Sequence, residues 1–101
     1  MNIFKKFKAY LRFREAVRKA DLAHSVDGKC YYVVPMVNGN LLIVDGKNFN
    51  ILRRKGYISR DTKIKDLKAS CLYHTPHTRG AKGMTEVEID ANRQRYYEML
   101  G

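Results

Sequence analysis

Two short apolar runs constrain what this chain can fold into more than any other feature. Cys30 to Val34 and Leu41 to Val44 are rich in β-branched and aromatic residues, with the turn-forming pair Asn38-Gly39 between them. This arrangement predicts a β-hairpin. A two-residue loop at Asn38-Gly39 would set Pro35 opposite Leu42 in a hydrogen-bonded pair, where proline has no donor to give. The expected solution is a four-residue loop, Val37 to Asn40, or a strand that breaks at Pro35. Neither run alternates between apolar and polar residues, so both faces of the hairpin need cover, from helices or from a second copy of the chain in a homo-oligomer.

Helical patterns flank the hairpin. From Ile3 to about Ala23, the residues Ile3, Phe4, Phe7, Tyr10 and Leu11 recur at helical spacing, while Lys5, Lys8, Arg12 and Lys19 project elsewhere. Past Leu11 the apolar set moves to Phe13, Val17 and Ala20, and Arg14 and Arg18 intrude on the first line. The expectation is an amphipathic helix that covers the core; a helix lying on a membrane surface is the lesser alternative, and the two arginines oppose deep insertion. Ser25-Val26-Asp27-Gly28 supplies the turn that ends it. After a turn at Asp45-Gly46, Asn48 to Lys55 reads as a short helix, with Gly56 after the C-cap and Tyr57 placed to pack back on Leu52. Thr62 is the expected N-cap of another helix, on which Ile64, Leu67 and Cys71 share a face. His74 to Gly83 has no apolar period and reads as a loop. Thr85 and Glu88 then form a capping box, with Met84 and Ile89 in the positions of a hydrophobic staple. The helix they start, Glu86 to about Leu100, carries Ile89, Tyr96, Tyr97 and Leu100 on one face. The predicted class is therefore α+β: an N-terminal helix, a β-hairpin, two short helices and a capped C-terminal helix.

With 101 residues and 45% apolar content, one small domain with one modest core is expected. No apolar run approaches the ~20 residues of a membrane span. Cys30 and Cys71 lie far apart and no signal-peptide pattern precedes them. Free, mostly buried thiols in a reducing compartment are the expectation.

The formal charge is +10, distributed unevenly. Met1 to His24 carry seven basic and two acidic residues, Lys47 to Lys68 eight and two, and Met84 to Gly101 two and four. Such a field attracts polyanions and acidic protein surfaces alike. The candidate phosphate-binding residues are Arg53, Arg54, Lys55, Lys63, Lys65 and Lys68, joined by Lys5, Lys8 and Arg12 from the first helix. Arg53, Arg54 and Lys55 also suit a helix C-terminus on electrostatic grounds alone. Gly80-Ala81-Lys82-Gly83 precedes a helix N-terminus, so Arg79, Lys82 and the amides before Thr85 are further anion contacts to weigh against a plain surface loop.

Other chemistry finds less support. Cys30, Cys71, His74 and His77 include the residue types of a zinc site, but they lack the usual paired spacing, and surface histidines are the expected role. No cofactor is implied. No Ser or Cys sits in a nucleophile motif, and His24, His74 and His77 have no acidic companion in sequence, so an enzyme is not expected. The connection from Gly56 to Thr62 is too long for a standard helix-turn-helix.

KNFNILRRKGYI (Lys47 to Ile58), CLYHTP (Cys71 to Pro76) and MTEVEI (Met84 to Ile89) together resemble the layout of small uncharacterised proteins of bacteriophages and mobile elements of anaerobic gut bacteria. That resemblance implies a setting, the bacterial cytoplasm or a virion, and no mechanism. LRRKGYI alone also looks like the end of the recognition helix in winged-helix repressors, but no wing hairpin follows it. Two functional readings result: a non-enzymatic accessory protein that holds nucleic acid through phosphate contacts, or a structural or inhibitory module whose basic face meets an acidic protein.

Overall fold

The structure, a computed structural model, describes residues 2–36, 38–58 and 67–101, the side chains of residues 68 and 69 excepted. Its elements are α1 (Ile3–Asp27), β1 (Tyr32–Pro35), β2 (Leu41–Val44), α2 (Phe49–Arg54), α3 (Leu67–Ser70), β3 (Tyr73–His74) and α4 (Glu86–Leu100). The architecture is the α+β arrangement expected, a small antiparallel sheet packed between helices.

The hairpin register differs from the expected four-residue loop. Pro35 pairs with Leu41, and the Met36 amide donates to the Asn40 carbonyl at 2.7 Å, leaving residues 37–39 between them. Val37 is outside the described residues. Because Met36 and Asn40 form a hydrogen-bonded pair, the alternation of an antiparallel ladder makes Pro35 and Leu41 a non-hydrogen-bonded one. The missing proline donor therefore costs nothing toward β2, and β1 need not break. Gly39 has φ +89°, and a Cβ there would lie 2.9 Å from Leu100 Cδ2. The backbone conformation favours glycine, and a larger residue would also have to turn the Leu100 side chain aside.

A third strand is not apparent in the sequence. Tyr73 and His74, the latter within the segment expected to be a loop, pair with Val33 and Tyr32, giving the sheet order β2-β1-β3. The Leu72 amide donates to the Val33 carbonyl and the Thr75 amide to the Tyr31 carbonyl, extending the join. Two residues are too few to show a period of two, and this strand exists because β1 offers it an edge.

Alternation along β1 sends Val33 and Val34 to opposite faces. On one face Val34 and Val44 pack with Phe49 of α2, Ile58, Leu67 of α3 and Cys71. On the other, Val33 and Tyr73 meet Ala16 and Ala20 of α1, and Ala9 and Phe13 meet Leu72 and Tyr96 of α4. The near-continuous apolar strands are explained by cover on both sides, which the chain's own helices supply.

The packed face of α1 corrects the expected stripe. Ala9, Phe13, Ala16 and Ala20 are buried, whereas Ile3, Phe4 and Phe7 are 78%, 77% and 60% exposed. Ala16 and Ala20 let the helix lie close against the sheet and Ala9 lets it lie close to Tyr96 of α4, which a row of Phe and Leu would prevent. α1 ends at Gly28, whose amide donates to the His24 carbonyl, while Arg79 reaches the carbonyls of Val26 (2.8 Å) and Ser25 (3.4 Å).

The other termini follow the expected chemistry. At the end of α2 the Gly56 amide donates to the Arg53 carbonyl and the Tyr57 amide to the Leu52 carbonyl, the paired bonds of a Schellman ending. The helix expected from Thr62 to Cys71 is described only over Leu67–Ser70; Thr62 and Ile64 lie outside the described residues. At α4 both halves of the capping box are present: Thr85 Oγ1 accepts from the Glu88 amide and Glu88 Oε1 from the Thr85 amide, each at 3.2 Å. Met84 and Ile89 pack on one cluster, as a staple should. Thr85→Ala is expected to cost about 1 kcal/mol, read as a lowered urea midpoint at unchanged m-value; an unchanged midpoint would mean the cap contributes nothing.

Candidate functional site

Helix α1 carries more basic residues than any other described element. Lys5, Lys6, Lys8, Arg12, Arg14, Arg18 and Lys19 are all exposed, since the positions that pack take up only one side of the helix. Among the described residues, one of these seven has an acidic partner, Arg18 at 3.9 Å from Glu15, and Lys6 lies over the Tyr97 ring at 5.7 Å. The seven run from Lys5 to Lys19, so these charges are spread over about 21 Å of the helix. Phe4, Phe7 and Leu11 lie among them, on the side opposite Ala9, Ala16 and Ala20.

One flank of α1 lies against α4, where Arg93 covers the Tyr10 ring at 5.4 Å. The other flank and β2 enclose a groove of about 710 Å³. Lys8, Arg12, Glu15 and Lys19 form its helical wall, with Leu11, Ala16, Leu41 and Ile43 supplying apolar surface and Met36 and Asn40 lying at the hairpin end. Because β2 is an edge strand, only one of its sides is paired. The ladder alternation turns the amides and carbonyls of Leu42 and Val44 toward β1 and those of Leu41 and Ile43 outward. Among the described residues, the outward groups have no hydrogen-bond partner.

The sheet separates the basic residues singled out from the sequence. Lys5, Lys8 and Arg12 stand on α1, whereas Arg53, Arg54 and Lys55 belong to α2 and its C-cap, in the layer across the sheet. One flat basic face containing both groups is therefore not formed. Arg53 lies over the Phe49 ring at 5.5 Å and donates to Asn50 Oδ1 at 3.2 Å. Lys63 and Lys65 are outside the described residues, and Lys68 lies in α3 with its side chain not described.

Arg79 donates to the Val26 and Ser25 carbonyls near the end of α1, which gives it a capping task there. Lys82 is exposed in the loop. The N-terminus of α4 is occupied by its own carboxylates, Glu86 and Glu88, and an incoming phosphate would meet them first. Lys6, Arg14, Arg18 and Lys19 are not among the contacts expected from the sequence. The excess charge of the first 24 residues contains their signal, but the open edge of β2 has none, because strand order is not written locally.

His74 and His77 rings stack with centroids 5.8 Å apart, and His74 Nδ1 donates to the Thr75 carbonyl at 2.9 Å. Among the described residues no three His, Cys, Asp or Glu side chains are placed together to hold a metal ion. Cys30 and Cys71 are free thiols. Burial pushes the Cys71 thiol up to about 11, so it stays protonated and unreactive at neutral pH. Burial, with a hydrogen bond involving Cys30, likewise raises the Tyr32 phenol to about 12. Tyr31 is raised to about 12 by donating to the Asp27 carboxylate, and that bond in turn holds Asp27 below the usual carboxylate range. These contacts tie the end of α1 to β1. Among the described residues, no helix is long and apolar enough to cross a membrane. No protein-family model matches the chain, and neither a curated protein nor a solved structure does.

Proposed function

We propose that this chain is a small, non-enzymatic accessory protein that binds nucleic acid through phosphate contacts, in the setting of a bacteriophage or mobile element within a bacterial cell or virion. The observation that carries this reading is the set of exposed Lys and Arg residues on α1, largely without acidic partners among the described residues. Phosphate contacts of this kind confer affinity without sequence preference. Lys5, Lys8 and Arg12 are the principal contacts, and Arg53, Arg54 and Lys55 form a separate basic site on the far layer.

Replacing Lys5, Lys8 and Arg12 together by Gln is expected to weaken binding equally for unrelated sequences. It should also flatten the slope of log K against log salt by roughly 0.9 for each duplex phosphate that the variant no longer neutralises. The same measurement on an Arg53, Arg54, Lys55 to Gln variant reports the contribution of the far layer. Anisotropy of a labelled duplex and a labelled single strand at several salt concentrations checks both. An unaltered protein that binds neither at low salt would remove the nucleic-acid reading.

A second reading, an interaction module for an acidic protein, is favoured by a different observation. The groove beside α1 presents an unpaired strand edge and apolar surface, which a phosphate backbone does not use.

A further inference from the structure

We infer that the groove between α1 and β2 receives an extended acidic segment of a partner protein, which adds to β2 as a fourth strand. This rests on the second reading above and names its partner chemistry. Leu41 and Ile43 each turn an amide donor and a carbonyl acceptor outward, and among the described residues none of these groups is paired. An extended peptide offers donors and acceptors in the same alternation, so it satisfies all four. A phosphate backbone offers acceptors only, and the two outward carbonyls repel it.

The charges along the wall choose among peptides. Lys8, Arg12 and Lys19 line the groove with no acidic partner among the described residues, while Glu15, also on the wall, is 3.9 Å from Arg18. A peptide strand lying along β2 turns alternate side chains toward α1, where carboxylates at those positions meet these three bases, while the small apolar residues between them face away from α1. Edge-to-edge pairing of two copies would bring two such basic walls together. Like-charge repulsion therefore guards this edge against self-association while leaving it open to an acidic strand.

The test uses the full chain and a short capped peptide of alternating Glu and Val, together with two versions N-methylated at every second residue in opposite frames. Leu41 and Ile43 amides are expected to exchange rapidly with deuterium in the free protein and to become protected by the parent peptide. One methylated frame should abolish binding and the other should preserve it, because only alternate amides of an added strand face β2. Replacing Lys8, Arg12 and Lys19 by Gln should weaken the parent peptide roughly tenfold, and a Lys and Val peptide should not bind.

Equal loss or equal retention of binding in the two frames would overturn strand addition. If that binding still depended on the three bases, the acidic-protein reading would survive without it. Failure of the Glu and Val peptide to bind at low salt would overturn the inference and that reading together. Protection of the Leu41 and Ile43 amides by a single-stranded oligonucleotide in place of the peptide would overturn it in favour of a nucleic-acid groove.

Discussion

Tyr96→Ala is expected to lower the free energy of unfolding by about 3–5 kcal/mol, the range for removing a buried aromatic ring. Tyr96 is fully buried, lies 6.2 Å from the Phe13 ring, and packs with Ala9 and Leu72 where α1, α4 and the chain entering β3 meet. Its hydroxyl also donates to the Gly39 carbonyl at 2.7 Å, so the substitution removes the bond that ties α4 to the hairpin loop. Tyr96→Phe keeps the ring and separates the two contributions. It should cost about 1 kcal/mol, the usual net worth of one hydrogen bond. Urea denaturation followed by circular dichroism checks both values, and equal losses for the two variants would mean that the hydroxyl, not the ring, carries the effect. For a chain of this size total stability is about 5–15 kcal/mol, so Tyr96→Ala removes a large part of it.

On the other side of the sheet, Phe49→Ala is expected to cost a similar amount, about 3–5 kcal/mol. Phe49 is fully buried among Val34, Val44, Ile58, Leu67 and Cys71, and α2 contributes no other fully buried residue to hold it there. The helix has only six residues, too few to be stable by itself, so loss of this anchor should release it from the sheet. Phe4→Ala is the matched control. At 77% exposure Phe4 should change stability by less than about 0.5 kcal/mol, as surface substitutions usually do. A large loss at Phe4 would show that the first turn of α1 packs after all. Because Tyr96 and Phe49 lie in different clusters on opposite faces of the sheet, the two costs should add within about 0.5 kcal/mol. A stabilising co-solvent, such as added sulfate, keeps the double variant measurable.

What is legible in the sequence is local. Thr85 and Glu88, Gly56 after Arg53, and Asn38-Gly39 between two β-rich runs are signals whose physics is complete within a few residues: a side chain meets an amide three positions away, or a glycine ends a helix. Each of these ends or turns lies where the residues indicate. The need for cover on both faces of the hairpin is legible too, because continuous apolar strands cannot leave one face in water.

Only the tertiary structure could decide which of the apolar lines on α1 is buried. By residue size Phe4, Phe7 and Leu11 are the stronger line, yet close approach to the sheet and to α4 selects Ala16, Ala20 and Ala9, because packing rewards fit at the interface and not hydrophobicity alone. Long-range pairing likewise made β3 from two residues, set α1 and α2 in separate layers so that the basic residues divide, and left β2 at the sheet edge beside Lys8, Arg12 and Lys19. Charge is a property of the residues and was determined by the sequence. Where that charge meets an unpaired backbone is a property of strand order, which no local pattern encodes.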